Sequence, residues 1–215
     1  MSGVWALVPV KSLAHGKSRL APRLTLAERQ ELSLAMLRDV LTALSESSRI
    51  SGGVVIYTDA IVKKLATELG MVALAESTGI SDLNAALRQG LEHLQHIRAE
   101  AALILPADVP LVDGSVIEQF IASSSDMPGM TICPSLDGDG TNALLLRPVT
   151  AIRPTFGPRS YHKHIEQARS GGQSVTVTQL AQLALDIDEP ADLDRFLSME
   201  APTHARAMLG PLVSR

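Results

Sequence analysis

The sequence predicts an α/β fold built on a parallel sheet covered on both faces, and two observations carry that expectation. Short apolar runs of strand length alternate with amphipathic stretches through the first half of the chain. These runs are apolar at successive positions rather than at every second one, as strands buried on both faces require. The rhythm then changes after Met130: "MTICPS" and "NALLLRP" flank the turn-forming "LDGDGT", which predicts a hairpin.

The elements follow in order. "GVWALVPV" reads as the first strand, closed by Pro9 and a polar loop. Residues 26–46 repeat Leu32, Met36, Leu37, Val40, Leu41 and Leu44 at helical spacing, with Thr25 as cap and Glu28 three residues on. "GGVVIYTD" is a second strand, residues 59–70 a second helix closed by Gly70, and residues 72–75 a short strand. A helix over 81–98 leads to "AALILPAD", a third long buried strand, and Asp113 suits the cap of a helix to residue 124. After the hairpin come a helix over about 158–170, strands in "SVTVTQL" and "LALDID", and a last helix over 191–197. The expected organisation is one domain over residues 1–198. The tail, 199–215, carries two prolines and little periodicity, and is expected to be irregular.

Composition narrows the function. A chain of 215 residues, 46% hydrophobic, can bury a full core, and with 3% aromatics that core is aliphatic. A net charge of −4 argues against nucleic acid as the main partner. No run approaches the ~18 apolar residues of a membrane span. The apolar N-terminus lacks a basic leader and cleavage site, so a cytoplasmic setting is the default. Cys133, the single cysteine, forms no internal disulfide and reads as a buried small hydrophobe.

Open α/β sheets bind ligands at the carboxyl ends of their strands. That directs attention to residues 9–19, 76–84, 106–110 and 137–142. In "VPVKSLAHGKSRLAP", Lys11, Lys17 and Arg19 leave the first strand, and Gly16 lets the backbone approach a ligand. Such a loop either holds phosphate or is a solvated basic loop; it is not a Walker motif. In "LILPADVPL", Asp108 ends an apolar strand between two prolines, where a carboxylate can hold Mg²⁺. In "LALDIDEPADL", Asp186 and Asp188 are two apart and project together if the segment is a strand. A cation between them would relieve their repulsion, and a solvated pair at a strand end is the alternative; the apolar lead-in of Leu183, Ala184 and Leu185 favours the cation. "DGDGTNALLL" and "FGPRSYHKH" offer Gly140, Thr141 and Asn142, and then Gly157, Arg159 and Ser160 at a helix start, as a second ligand clamp or an ordinary hairpin turn. His162 and His164 are poorly spaced for a shared metal and read as surface or pocket-rim residues. "DGDG" lacks the remainder of a calcium loop.

Taken in order, these five stretches resemble the 2-phospho-L-lactate guanylyltransferases of coenzyme F420 biosynthesis, a family that includes phosphoenolpyruvate and 3-phospho-D-glycerate enzymes. The likeness runs from about Val4 to Leu197. It implies a Rossmann-like, glycosyltransferase-A-like nucleotidyltransferase domain with a mixed, mostly parallel sheet. The implied reaction moves GMP from GTP to a small phospho-acid and releases pyrophosphate. Carried over by position, Lys11, Lys17 and Arg19 hold the triphosphate and, with Asp108, serve catalysis. Asp108, Asp186 and Asp188 bind Mg²⁺; Gly79 and Asn84 contact the nucleoside; Thr141, Gly157 and Ser160 hold the acceptor. Asp82 before Leu83 departs from the more glycine-rich form of several relatives, so base reading is the part of the carry-over it touches. A homodimer and a downstream F420-biosynthesis enzyme are also implied.

The motifs are common to all three acceptor groups. Ser160, Tyr161 and His162 could satisfy the extra hydroxyl of 3-phosphoglycerate, which leans the expectation that way. Two rivals stand beside it: a molybdopterin or sugar-phosphate nucleotidyltransferase, and a non-catalytic nucleotide-binding module. The missing glycine pair after the first strand disfavours the molybdenum relatives, and three carboxylates disfavour a pure binder.

Overall fold

A computed structural model describes residues 3–14, 16–77, 82–125 and 127–213. Its centre is a seven-stranded sheet. The strands are β1 (Val4–Pro9), β2 (Ile50–Tyr57), β3 (Val72–Ala75), β4 (Ala101–Ile104), β5 (Gly129–Pro134), β6 (Thr141–Arg147) and β7 (Ser174–Val177), in the order β3-β2-β1-β4-β6-β5-β7. β6 runs antiparallel to both neighbours, and the other pairings are parallel. The sheet is therefore mixed and mostly parallel, and the expected hairpin is β5–β6. Reversal of β6 brings its first residues, Thr141 and Asn142, to the edge where β1 and β4 end.

Both faces of the sheet are covered, which explains the unbroken apolar runs. Along β1, Val4, Ala6 and Val8 enter one core cluster while Trp5 and Leu7 enter the other. The first face packs against α1 (Leu26–Glu46), α2 (Ala60–Glu68) and α4 (Gly114–Ala122); the second packs against α3 (Leu83–His96) and α5 (Ser160–Ser170). The caps expected for α1 and α4 are present. Thr25 and Glu28 form a reciprocal capping box, and Asp113 accepts from Val116 N. α1 is long because it buries two sides. Leu37, Val40 and Leu41 face the sheet, while Leu32 and Met36 face a third cluster with Leu193, Phe196 and Leu209.

Three expectations need correction here. "LALDID" is not a strand. Its first residues finish the single turn α6 (Ala181–Ala184), and residues 185–188 run extended without a ladder, held by the backbone bond from Ile187 N to Asp108 O beyond β4 and by Asn142 of β6 at Asp186. Leu185 and Ile187 still bury, so the alternation expected of a strand survives without a ladder. The last-helix expectation corresponds to α7 (Pro190–Ser198). The tail is not irregular: α8 spans His204–Val213 and packs on α1 and α7. Its start is capped by a buried residue far away in sequence. Asp39 of α1 accepts from His204 N (2.7 Å), Ala205 N (3.0 Å) and the His204 ring. Finally, His164 is not at the rim. It is fully buried, accepting from Thr155 N at Nε2 (2.9 Å) and so donating from Nδ1 to Thr141 Oγ1 (3.1 Å). No helix among the described residues is long and apolar enough to cross a membrane.

Candidate active site

The carboxyl edge of the sheet carries an open cleft above β1, β2 and β4. One part, about 370 Å³, is lined by Lys17, Asp108 and Asp188 together with the apolar Val10, Leu83 and Phe156. A second part, about 290 Å³, shares the β1 loop and extends toward β3. Both are of the size that small ligands occupy.

Three chain segments meet at the charged end. Asp108 follows β4, and Asp186 and Asp188 come from the extended segment held to Asp108 by the Ile187 bond. One carboxylate oxygen from each lies within 4.8 Å of the others. Lys17 Nζ stands among them, 2.6 Å from Asp108 Oδ2 and 2.6 Å from Asp188 Oδ1. The sequence expectation that these residues share one place is matched by this geometry, although the strand that motivated it is absent.

The electrostatics follow from burial and proximity. Burial, then Asp108, pushes the Asp186 carboxyl up to about 6; a hydrogen bond from Asn142 Nδ2 (3.0 Å) limits the rise. Burial would also raise Asp188, but Lys17, with Arg19 and Lys11 beyond it, holds that carboxyl below the usual range. Burial works against the Lys17 charge, and Asp108 and Asp188 together outweigh it, leaving the ammonium above its ordinary value. Lys17 is thus a cation locked between two anions.

The loop bearing Lys17 is built to hold that position. Lys17 itself is left-handed (φ 52°). Asp59, just past β2, accepts from Leu13 N (3.0 Å), and Arg29 of α1 donates to the carbonyls of Gly16 and Lys17. Lys11 is exposed and lines both parts of the cleft. Arg19 is exposed and pairs with Glu189 (3.1 Å), outside the carboxylate cluster.

Of the other expected residues, Gly79 lies outside the described ones. Asn84 does not face open space: its side-chain amide makes reciprocal bonds to Phe156 N and O (2.7 and 3.0 Å), tying α3 to the loop before α5. Thr141 and Ser160 are buried together, Ser160 Oγ donating to Thr141 Oγ1 (3.2 Å). Gly157 has φ 118°, a region only glycine occupies readily, and Arg159 N donates to Asp139 (2.8 Å) in the hairpin turn. The two glycine-bearing loops are therefore joined. Asp59, Arg29 and Phe156 were not singled out from the sequence. Asp59 could have been, since it ends a strand as Asp108 does; the other two act through contacts that no local pattern reveals.

The family model of CofC-like guanylyl transferases matches residues 4–213. This chain belongs to that family. The phosphoenolpyruvate guanylyltransferase of Roseiflexus castenholzii is 44% identical, over 88% of this chain and 86% of that protein. The 2-phospho-L-lactate guanylyltransferase of Methanothermobacter thermautotrophicus is 36% identical, over 96% and 90%. Among solved structures, a nucleotidyl transferase from Methanothermobacter superposes with TM-score 0.65 at 16% identity, over 90% of this chain and 95% of that one. A 4-diphosphocytidyl-2C-methyl-D-erythritol synthase from Anaerococcus prevotii gives 0.63 at 11%, over 97% and 96%. The CofC-like chain thus has a nucleotidyltransferase fold and is an enzyme of guanylyltransferase type.

Proposed function

We propose that the protein catalyses a step of coenzyme F420 biosynthesis, transferring GMP from GTP to the phosphate of a three-carbon phospho-acid. The observation that carries this is the Lys17–Asp108–Asp186–Asp188 constellation at the head of a two-part cleft. An acceptor phosphate oxygen, ionised at neutral pH, attacks the α-phosphorus. The bond from that phosphorus to the bridging oxygen of the β-phosphate breaks, and pyrophosphate departs. No serine or cysteine nucleophile is needed.

The donor set suits Mg²⁺: three hard carboxylate oxygens that can close on one ion, at a point where an ammonium already satisfies two of them. Asp108, Asp186 and Asp188 would hold it, and when bound it would supply charge neutralisation on the phosphates. Lys11, Lys17 and Arg19 would hold the triphosphate, and Lys17 would follow the charge as it moves to the leaving group. Asn84, by fixing Phe156 against α3, would keep one wall of the nucleoside cleft in place. Thr141 accepts from both His164 and Ser160, so its own proton is left to donate, and with Gly157 and Ser160 it forms the proposed acceptor site.

For the acceptor, phosphoenolpyruvate is the better-supported choice. It names several relatives at 30–44% identity. The lean toward 3-phosphoglycerate rested partly on a spare Ser160 hydroxyl, which is buried and bonded to Thr141. A cytoplasmic setting, a homodimer and handover of the product to the next enzyme go with the same reading. The test offers GTP and Mg²⁺ with phosphoenolpyruvate, 2-phospholactate or 3-phosphoglycerate, a product-consuming enzyme present, and reads products by mass spectrometry. Guanylylated phosphoenolpyruvate is the expected product. No product from any acceptor would defeat the proposal.

A further inference from the structure

We infer that Glu76 reads the base of the nucleotide, its carboxylate accepting both N1–H and the exocyclic amino group of guanine. This deepens the GTP assignment above and rests on it.

Glu76 follows β3 and lines the part of the cleft away from the carboxylate cluster, together with Pro9, Ile56, Thr58, Leu83 and Ala86. That part is walled mainly by apolar side chains, as a flat base requires. It joins the charged end through Lys11 and Gly16 of the shared loop. A nucleotide with its phosphates by Lys17 therefore has its base directed to this slot.

The backbone around Glu76 is held on several sides. Glu76 N donates to Tyr57 O (2.8 Å). On either side of it, the Gln89 side chain of α3 donates to Ala75 O (2.7 Å) and accepts from Ser77 N (3.0 Å). One glutamine thus clamps the chain immediately before and after Glu76. Among the described residues, no hydrogen bond or ion pair engages the Glu76 carboxylate. An ionic group without a partner, on a braced backbone beside an apolar slot, is suited to a ligand.

Its chemistry selects one base. A carboxylate offers two acceptor oxygens and no donor. Guanine alone among the common bases presents two adjacent N–H donors in one plane, N1–H and N2–H. Adenine and cytosine each meet the carboxylate with a ring-nitrogen lone pair next to their amino group. Uracil has one N–H between two carbonyls. A bidentate, charge-assisted pair is therefore open to guanine only.

The test compares GTP, ITP, ATP and N1-methyl-GTP, by pyrophosphate release with the acceptor and by equilibrium binding. ITP lacks the amino group, and N1-methyl-GTP has lost N1–H. Wild-type protein is expected to bind both of these at least ~10-fold more weakly than GTP. Glu76→Gln is expected to lose about 10- to 100-fold in kcat/KM for GTP, with a smaller loss for ITP, so that the GTP:ITP and GTP:ATP ratios collapse. A folded Glu76→Gln protein that keeps both wild-type ratios would overturn the inference while leaving guanylyl transfer intact. Equal binding of GTP and N1-methyl-GTP by the wild type would overturn it without any variant. Wild-type protein that does not use GTP would remove both this inference and the proposed function.

Discussion

Lys17 combines an unfavourable backbone with a favourable side chain. A left-handed geometry costs a non-glycine residue on the order of 1–2 kcal/mol, and here two carboxylates 2.6 Å from Nζ offset it. Removing the ammonium leaves three carboxylates facing one another, which is destabilising until another cation enters. Lys17→Met should therefore lower Tm in the absence of divalent ions and regain much of the loss with millimolar Mg²⁺, whereas wild-type Tm should respond far less. Activity should fall by orders of magnitude at any Mg²⁺ concentration. Equal Mg²⁺ responses by calorimetry would argue against Nζ standing where a metal binds. His164 makes a different prediction. Burial, with Lys163 nearby, pushes its imidazole down to about 4, from an ordinary value near 6.5. Between those values the unfolded chain takes up a proton that the folded chain refuses. This residue therefore removes stability as pH falls through the window, by about 3 kcal/mol in all, and contributes no pH dependence above it. His164→Gln, whose carbonyl can still accept from Thr155 N, should show a shallower loss between pH 6.5 and 4 in urea titrations.

At the scale of elements, the joint between β5 and β7 leaves no room for a side chain on one strand. Gly129 pairs with Ser174, and a Cβ on Gly129 would run into the Ser174 carbonyl and hydroxyl. The obstacle is backbone, which cannot rotate away. Gly129→Ala should cost roughly 1–3 kcal/mol, read as a lower denaturant midpoint, with nucleotide binding at the other half of the sheet little changed. Elements set by local pattern were legible in the sequence. α1 starts at the expected Thr25 with its capping box, and β3 has the expected bounds, because side-chain periodicity and caps act within a few residues. The segment around Asp186 misled for a related reason: alternating burial of Leu185 and Ile187 looks like a strand whether or not a neighbour pairs with it. Position relative to strand ends was enough to place Asp108 and Lys17 at the cleft. It could not show that Asn84 is engaged with Phe156, 72 residues away.

For the whole molecule, the C-terminal helix shows what sequence patterns omit. Two prolines suggested irregular chain, yet α8 is capped by Asp39 and buries Ala205 and Leu209 against α1 and α7. Its stability is tertiary, and only the folded chain brings Asp39 to it. Asp39→Ala leaves two helix N–H groups without their acceptor and should cost about 1–2 kcal/mol. Hydrogen exchange should show α8 opening well before the sheet; protection of α8 equal to wild type would contradict a capping role. The same helix rests on the cluster that includes Ile187 and Leu185, flanking the carboxylates. If the carboxylates hold a metal as proposed, loosening α8 should therefore weaken that binding before it unfolds the sheet.

The reversal of β6 has a consequence for how the enzyme can change. Because that one strand runs the other way, its beginning meets the ends of the parallel strands, and two stretches of gene contribute to one edge. Of the proposed nucleotide and metal groups, Lys11, Lys17, Glu76 and Asp108 precede the β5–β6 hairpin, whereas Asp186 and Asp188 follow it, as do the proposed acceptor groups Thr141, Gly157 and Ser160. The groups proposed to read the base are thus separated along the chain from those proposed to hold the acceptor, while the proposed metal-binding carboxylates come from both halves. A crossover between relatives in the linker before Gly129 could exchange one phospho-acid for another while base reading passes on unaltered, provided that the incoming half brings its own counterparts of Asp186 and Asp188.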